Sequence, residues 1–160
     1  MDEKRSYKEI QEFDKCIYCF EPREHQHGSC PNCGYENGLC DMPGWWLTPG
    51  TLLKGYYLVG KPLEEQENKL IYLGYSFYEN KCVEITEYFP REHITRDITI
   101  TDEVSCIPGH EEAFEEGKQL FFEKARTFYK CVSRVELLNM DFFVRNGTCY
   151  YVRTKKEKEV

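Results

Sequence analysis

Two cysteine pairs, Cys16-x-x-Cys19 and Cys30-x-x-Cys33, stand ten residues apart in the segment CIYCFEPREHQHGSCPNCG. This pattern constrains the chain more than any other. Two cysteines three positions apart wrap one tight turn, so both thiolates can face one ion. Two such turns brought together supply four sulfurs in a tetrahedron, which suits Zn²⁺. Pro31 stiffens the second turn, and Gly34 follows where positive φ is often required. A single pair would leave a redox role open; two facing pairs argue for metal. Four sulfur ligands leave no open coordination position, so the expected zinc is structural and not catalytic. His25, His27 and Cys40 are spare candidates, read as bystanders.

The chain has nine cysteines among 160 residues. Its N-terminus, MDEKRSYKEIQEFDK, is charged throughout and lacks the apolar stretch of a signal peptide. No run of about 18 apolar residues is present to cross a membrane. A cytoplasmic location is the resulting expectation, and there clustered cysteines mean metal more readily than disulfides. Lys and Arg number 21 against 28 Asp and Glu, a net charge of -7. Over residues 14–42, Lys15 and Arg23 face Asp14, Glu21, Glu24, Glu36 and Asp41, a net of -3. That balance weighs against phosphate contacts and favours a protein partner over nucleic acid.

Four stretches differ in character: a charged arm (1–15), the cysteine ribbon (16–42), a longer domain (47–154) and a charged tail (155–160). Within the domain, Tyr56 to Leu63, Leu70 to Tyr78 and Cys82 to Phe89 read as strands, with Glu79-Asn80-Lys81 as a turn. His110 to Lys130 reads as a helix, with Phe114, Phe121, Ala125 and Phe128 on one face. Asn139 to Val144 and Thr148 to Arg153 flank Asn146-Gly147, a strong hairpin signal because both turn residues must take positive φ. The expected fold is α+β: a small zinc ribbon, then a five-stranded antiparallel sheet with one packed long helix.

Four segments carry a family resemblance. They are LTPGTLLKGYYLVGKPL (47–63), VEITEYFPREHITRD (83–97), FEEGKQLFFEKARTF (114–128) and MDFFVRNGTCYYV (140–152). In this order they resemble the N-terminal lobe of bacterial Ser/Thr protein kinases, in the branch where a cysteine ribbon precedes the kinase domain. The resemblance implies a kinase N-lobe-like fold, but the residues that serve ATP in that family are changed. The glycine-rich loop corresponds to Glu64-Glu65-Gln66-Glu67-Asn68-Lys69, without a glycine and with three carboxylates. The strand lysine that holds phosphates corresponds to Thr86. The helix glutamate that pairs with it corresponds to Lys124, with Glu123 one residue earlier. No H-R-D or D-F-G motif occurs in the sequence, which stops near where a kinase crosses to its second lobe.

The chain is therefore expected to be a degenerate, pseudokinase-like module with neither kinase activity nor tight ATP binding. The expected role is a non-catalytic adaptor or regulator, such as an inhibitor or targeting factor, that binds another protein or a second copy of itself. A zinc-ribbon nucleic-acid binder and a residual nucleotide-binding module are the alternatives. Of Trp45 and Trp46, one indole is read as packing between ribbon and lobe and the other as partly exposed. Cys82, Cys106, Cys131 and Cys149 are read as scattered core or surface residues, and His93 and His110 as histidines without a partner cluster.

Overall fold

Runs rich in aromatic and β-branched residues, separated by short turns, pair as antiparallel hairpins. The computed structural model of the chain describes residues 13–36, 44–131 and 140–154. Its elements are β1 (Leu52–Leu53), β2 (Tyr57–Gln66), β3 (Lys69–Ser76), β4 (Lys81–Tyr88), β5 (Ile94–Thr95), β6 (Ser105–Cys106), α1 (Glu111–Cys131), β7 (Met140–Arg145) and β8 (Thr148–Thr154). A two-residue turn, Glu67-Asn68, joins β2 to β3, with Gln66 opposite Lys69. The β7–β8 turn holds Asn146 at φ 56° and Gly147 at φ 76°, as the Asn-Gly signal demands. Every neighbouring pair is antiparallel, and the sheet order is β1-β2-β3-β4-β8-β7.

The expected five-stranded sheet with one packed long helix is corrected here. The sheet has six strands and curls until its two edges nearly meet, like an almost closed barrel. The closure is made by side chains. Asp141 on β7 accepts hydrogen bonds from Lys54 Nζ at 2.8 Å and Tyr57 Oη at 2.9 Å, across from β1 and β2. The Tyr57 and Phe143 rings stack over the same gap, 5.9 Å between centroids. Burial opposes the Lys54 charge, and Asp141 reverses that, holding its pKa above the ordinary value. The additional strand β1 is two residues long, too short to show any periodicity. The small β5–β6 ladder escapes a sequence reading for the same reason.

Among the described residues there is one helix, α1, and it covers little of the sheet. Phe114, Phe121 and Ala125 are buried, but Leu120 and Phe122 beside them are exposed. The buried stripe meets Tyr88 on β4, while Phe121 and Phe122 reach Phe142 on β7 and Phe121 reaches Tyr151 on β8. The side chains of Phe128 and Lys130 lie outside the described residues, as do residues 1–12 and the tail from 155.

The main core fills the inside of the curl, with Leu70, Tyr72, Val83, Ile85, Tyr150 and Val152 from the three central strands. Trp46 and Leu47 are buried in the same core and Trp45 is partly exposed beside it; Trp46 thus packs inside the sheet's own core and not between ribbon and lobe as expected. A second core forms where the ribbon docks on the outer face of β2 and β3. Phe13, Ile17 and Phe20 from the ribbon meet Leu58, Leu73 and Tyr75 there. Gly60 makes this docking possible, because a Cβ at that position would lie 2.6 Å from the Phe20 ring and 3.0 Å from the Ile17 carbonyl. One backbone bond, Lys61 N to Tyr18 O at 2.9 Å, crosses the same seam.

Substituting Gly60→Val should therefore push the ribbon off the sheet. The expected cost is about 1–3 kcal/mol, the usual range for overpacking, read as a lower denaturant midpoint. Protease cleavage within the ribbon should become faster at the same time.

Candidate metal centre and the buried carboxylate

Each knuckle of the ribbon is closed by backbone bonds. Phe20 N donates to Cys16 O at 2.8 Å, and Gly34 N donates to Cys30 O at 2.9 Å. The residue after each pair is left-handed, with φ 61° at Phe20 and 79° at Gly34. Glycine takes that conformation freely. Phe20 takes it at some cost, and the buried contacts of its ring in the ribbon–sheet core offset the strain.

The four cysteines named from spacing come together. Their sulfurs all lie within 4.8 Å of one another. Cys16 and Cys33 are 3.8 Å apart, as are Cys19 and Cys30. A regular tetrahedron with edges of that length has a centre about 2.3 Å from each corner, which is the length of a zinc–thiolate bond. The amides of Tyr18 and Asn32 point at the sulfurs of Cys16 and Cys30, both at 3.4 Å. Asn32 Nδ2 lies 3.5 Å from the Cys19 sulfur. Such donors favour thiolate over thiol. The group can therefore hold a metal ion, with all four positions taken by protein. His25 and His27 lie outside it, both exposed, with their rings tilted at 40° and 5.6 Å between centroids. Cys40 is outside the described residues.

Without metal the four thiols do not share charge evenly. Burial works against a thiolate at Cys30, but amide donors from Cys33 and Asn32 outweigh it and bring the pKa down to about 6. At Cys33, burial and the neighbouring sulfurs push it up to about 12. Burial likewise raises Cys16.

The residues matched to the kinase nucleotide site are differently placed. Glu64 to Gln66 belong to strand β2, and only Glu67 and Asn68 form the turn. Thr86 on β4 is fully buried, and its hydroxyl has no hydrogen-bond partner among the described residues. Lys124 lines a groove of about 540 Å³ between α1 and the β2–β3 hairpin, together with Lys69, Glu67, Glu92 and His93. His93 does have a partner: its Nδ1 lies 3.0 Å from Nδ1 of His110, just ahead of the helix. That corrects the reading of two separate histidines, which 16 intervening residues had hidden.

The sequence reading passed over the most heavily bonded side chain of the sheet. Glu87, next to Thr86, points into the core and is fully buried. Arg96, equally buried at its guanidinium, grips both carboxylate oxygens at 2.8 Å. Tyr72 donates to the same carboxylate at 2.8 Å, and Tyr150 donates to its other oxygen. Arg96 Nε donates onward to Trp45 O at 2.8 Å. Burial opposes charge on Arg96, but Glu87 more than reverses that and raises its pKa. Burial together with the Glu87 charge keeps both tyrosines neutral and donating, with pKa values well above ordinary. One signal was available: Glu87 continues the inward series Val83, Ile85, and a carboxylate there needs a buried cation.

No family model matches the chain, and no curated protein matches it. Among solved structures, it is similar to PpkA-294 in its apo form, from a bacterial Ser/Thr kinase, at 16% identity and a TM-score of 0.56. The likeness is one of fold. It covers 72% of this chain and 38% of the PpkA chain. It supports a kinase N-lobe-like arrangement for the sheet and helix. No helix of the described residues is long and apolar enough to cross a membrane.

Two outcomes are expected. Replacing Glu87 by Leu or Arg96 by Met should each cost about 3–5 kcal/mol, since each leaves a buried partner uncompensated. The double replacement should cost less than the sum, measured by denaturant unfolding as a double-mutant cycle. Separately, a metal ion must displace the protons that Cys16 and Cys33 retain at neutral pH, because their pKa values are raised. Apparent metal affinity should rise with pH, and calorimetry in buffers of different ionisation enthalpy should show proton release on binding.

Proposed function

We propose that this chain is a non-catalytic adaptor or regulator. It would hold a structural zinc on Cys16, Cys19, Cys30 and Cys33 and bind a protein partner through its kinase-like lobe. The reading rests chiefly on one apolar strip. Phe122 of α1 lies against Phe142 of β7, with ring centroids 5.0 Å apart. Val144, two residues along on the same face of β7, is 67% exposed, and Phe122 is 38% exposed. A strip of large apolar side chains on a helix and an edge strand suits contact with another protein. The zinc is supported by four sulfurs within 4.8 Å of one another and by the all-thiolate donor set.

Residual nucleotide binding is the second reading, and it has Lys69 and Lys124 along the groove in its favour. Glu67 and Glu92 share that lining, and the hydroxyl at the phosphate-binding position is buried at Thr86. These features weigh against a polyphosphate.

Zinc-loaded protein should self-associate or retain one defined partner from its native cells. Changing the exposed Val144 to Asp should weaken that association with little change in melting temperature. A monomeric protein that recovers no partner would reject the proposal. Millimolar ATP with Mg²⁺ should leave the melting temperature unchanged, whereas a ligand at a hundredfold over its Kd would add about 2.7 kcal/mol of stability.

A further inference from the structure

One side chain of the ribbon is a cation held almost entirely out of water. Arg23, in the loop between the two cysteine pairs, is only 4% exposed. Its Nη1 lies 4.0 Å from the sulfur of Cys16, which is itself fully buried. Nη2 donates to Gly28 O at 2.5 Å and to His27 O at 3.4 Å, just ahead of Cys30. Nη1 also donates to Gln26 Oε1 at 3.3 Å. Gln26 in turn donates to Phe13 O at 3.0 Å and Lys15 O at 2.6 Å, just ahead of Cys16. One guanidinium thus spans the approaches to both knuckles and touches one of the sulfurs.

Charge explains why a cation belongs there. Four thiolates around a divalent ion carry a net charge of minus two. Burying such a centre is costly unless positive charge or hydrogen-bond donors face the sulfurs. Amides serve Cys16 and Cys30, and Cys16 alone of the four sulfurs also has a guanidinium within 4.0 Å among the contacts described. We infer that Arg23 is a positioning residue of the metal centre. Its charge offsets the excess negative charge at Cys16, and its carbonyl bonds hold the 24–29 loop so that Cys30 meets Cys16. This inference rests on the zinc reading above.

The test uses the full chain with zinc bound, titrated with a chromogenic chelator. Arg23→Gln keeps donors and loses the charge, Arg23→Lys keeps the charge, and Arg23→Met keeps only bulk. Gln and Met should lose zinc at roughly 10- to 100-fold lower chelator competition, the range for losing an outer-shell partner, and Lys should fall between them and the parent. With Co²⁺ in place of zinc, the thiolate-to-metal charge-transfer band should move to lower energy in the Gln variant and not in the Lys variant. A packing role alone would make Met as good as the parent and leave the band in place; either result overturns the inference. If the Met variant does not fold, the Gln and Lys pair decides by the same ordering. A parent protein that binds no zinc would instead overturn the metal reading itself.

Discussion

The sheet is organised around one buried carboxylate. Glu87 sits in the centre of the curled sheet, where an unpaired charge would be intolerable. Its four bonds draw on distant parts of the chain: Tyr72 of β3, Tyr150 of β8 and both ends of the Arg96 fork. Arg96 then ties the segment before β1 to the sheet through the Trp45 carbonyl. The loop after β4 consequently folds back over one end of the core instead of projecting into water. Such a network does not guarantee high stability, since desolvating the ions is expensive, but it penalises any register in which the partners fail to meet.

The four-cysteine cluster is fastened to this sheet by a separate apolar seam. Phe20 provides the link between the two: its left-handed backbone closes the first knuckle, and its ring fills the notch at Gly60. The geometry of the ribbon and that of the sheet therefore meet at this residue, alongside Ile17 and the Lys61–Tyr18 backbone bond. A metal-induced tightening of the knuckle would be felt at β2, close to the irregular pairing between Val59 and Glu64.

Parts of this were legible in the residues. The gathering of Cys16, Cys19, Cys30 and Cys33 followed from spacing, because each knuckle is a local structure whose geometry depends on few neighbours. The Asn146-Gly147 hairpin followed for the same reason, as did the core strands with their two-residue alternation. Glu87 left no such signal, although it stands beside Thr86 on β4. Glu87 carries a buried charge whose partner, Arg96, lies nine residues on, so no local pattern announces the pair.

By itself the sequence determined the cysteine tetrad, the hairpins and the inward positions of the strands, all of which depend on short-range stereochemistry. Only the tertiary structure decided how far the sheet curls, since that depends on Asp141 reaching Lys54 and Tyr57 from more than 80 residues away. It also decided that α1 covers a narrow stripe and leaves Phe122 in view, and that His93 meets His110. Side chains brought together by folding leave no period or spacing in the chain, so those contacts become visible only once the strands are in place.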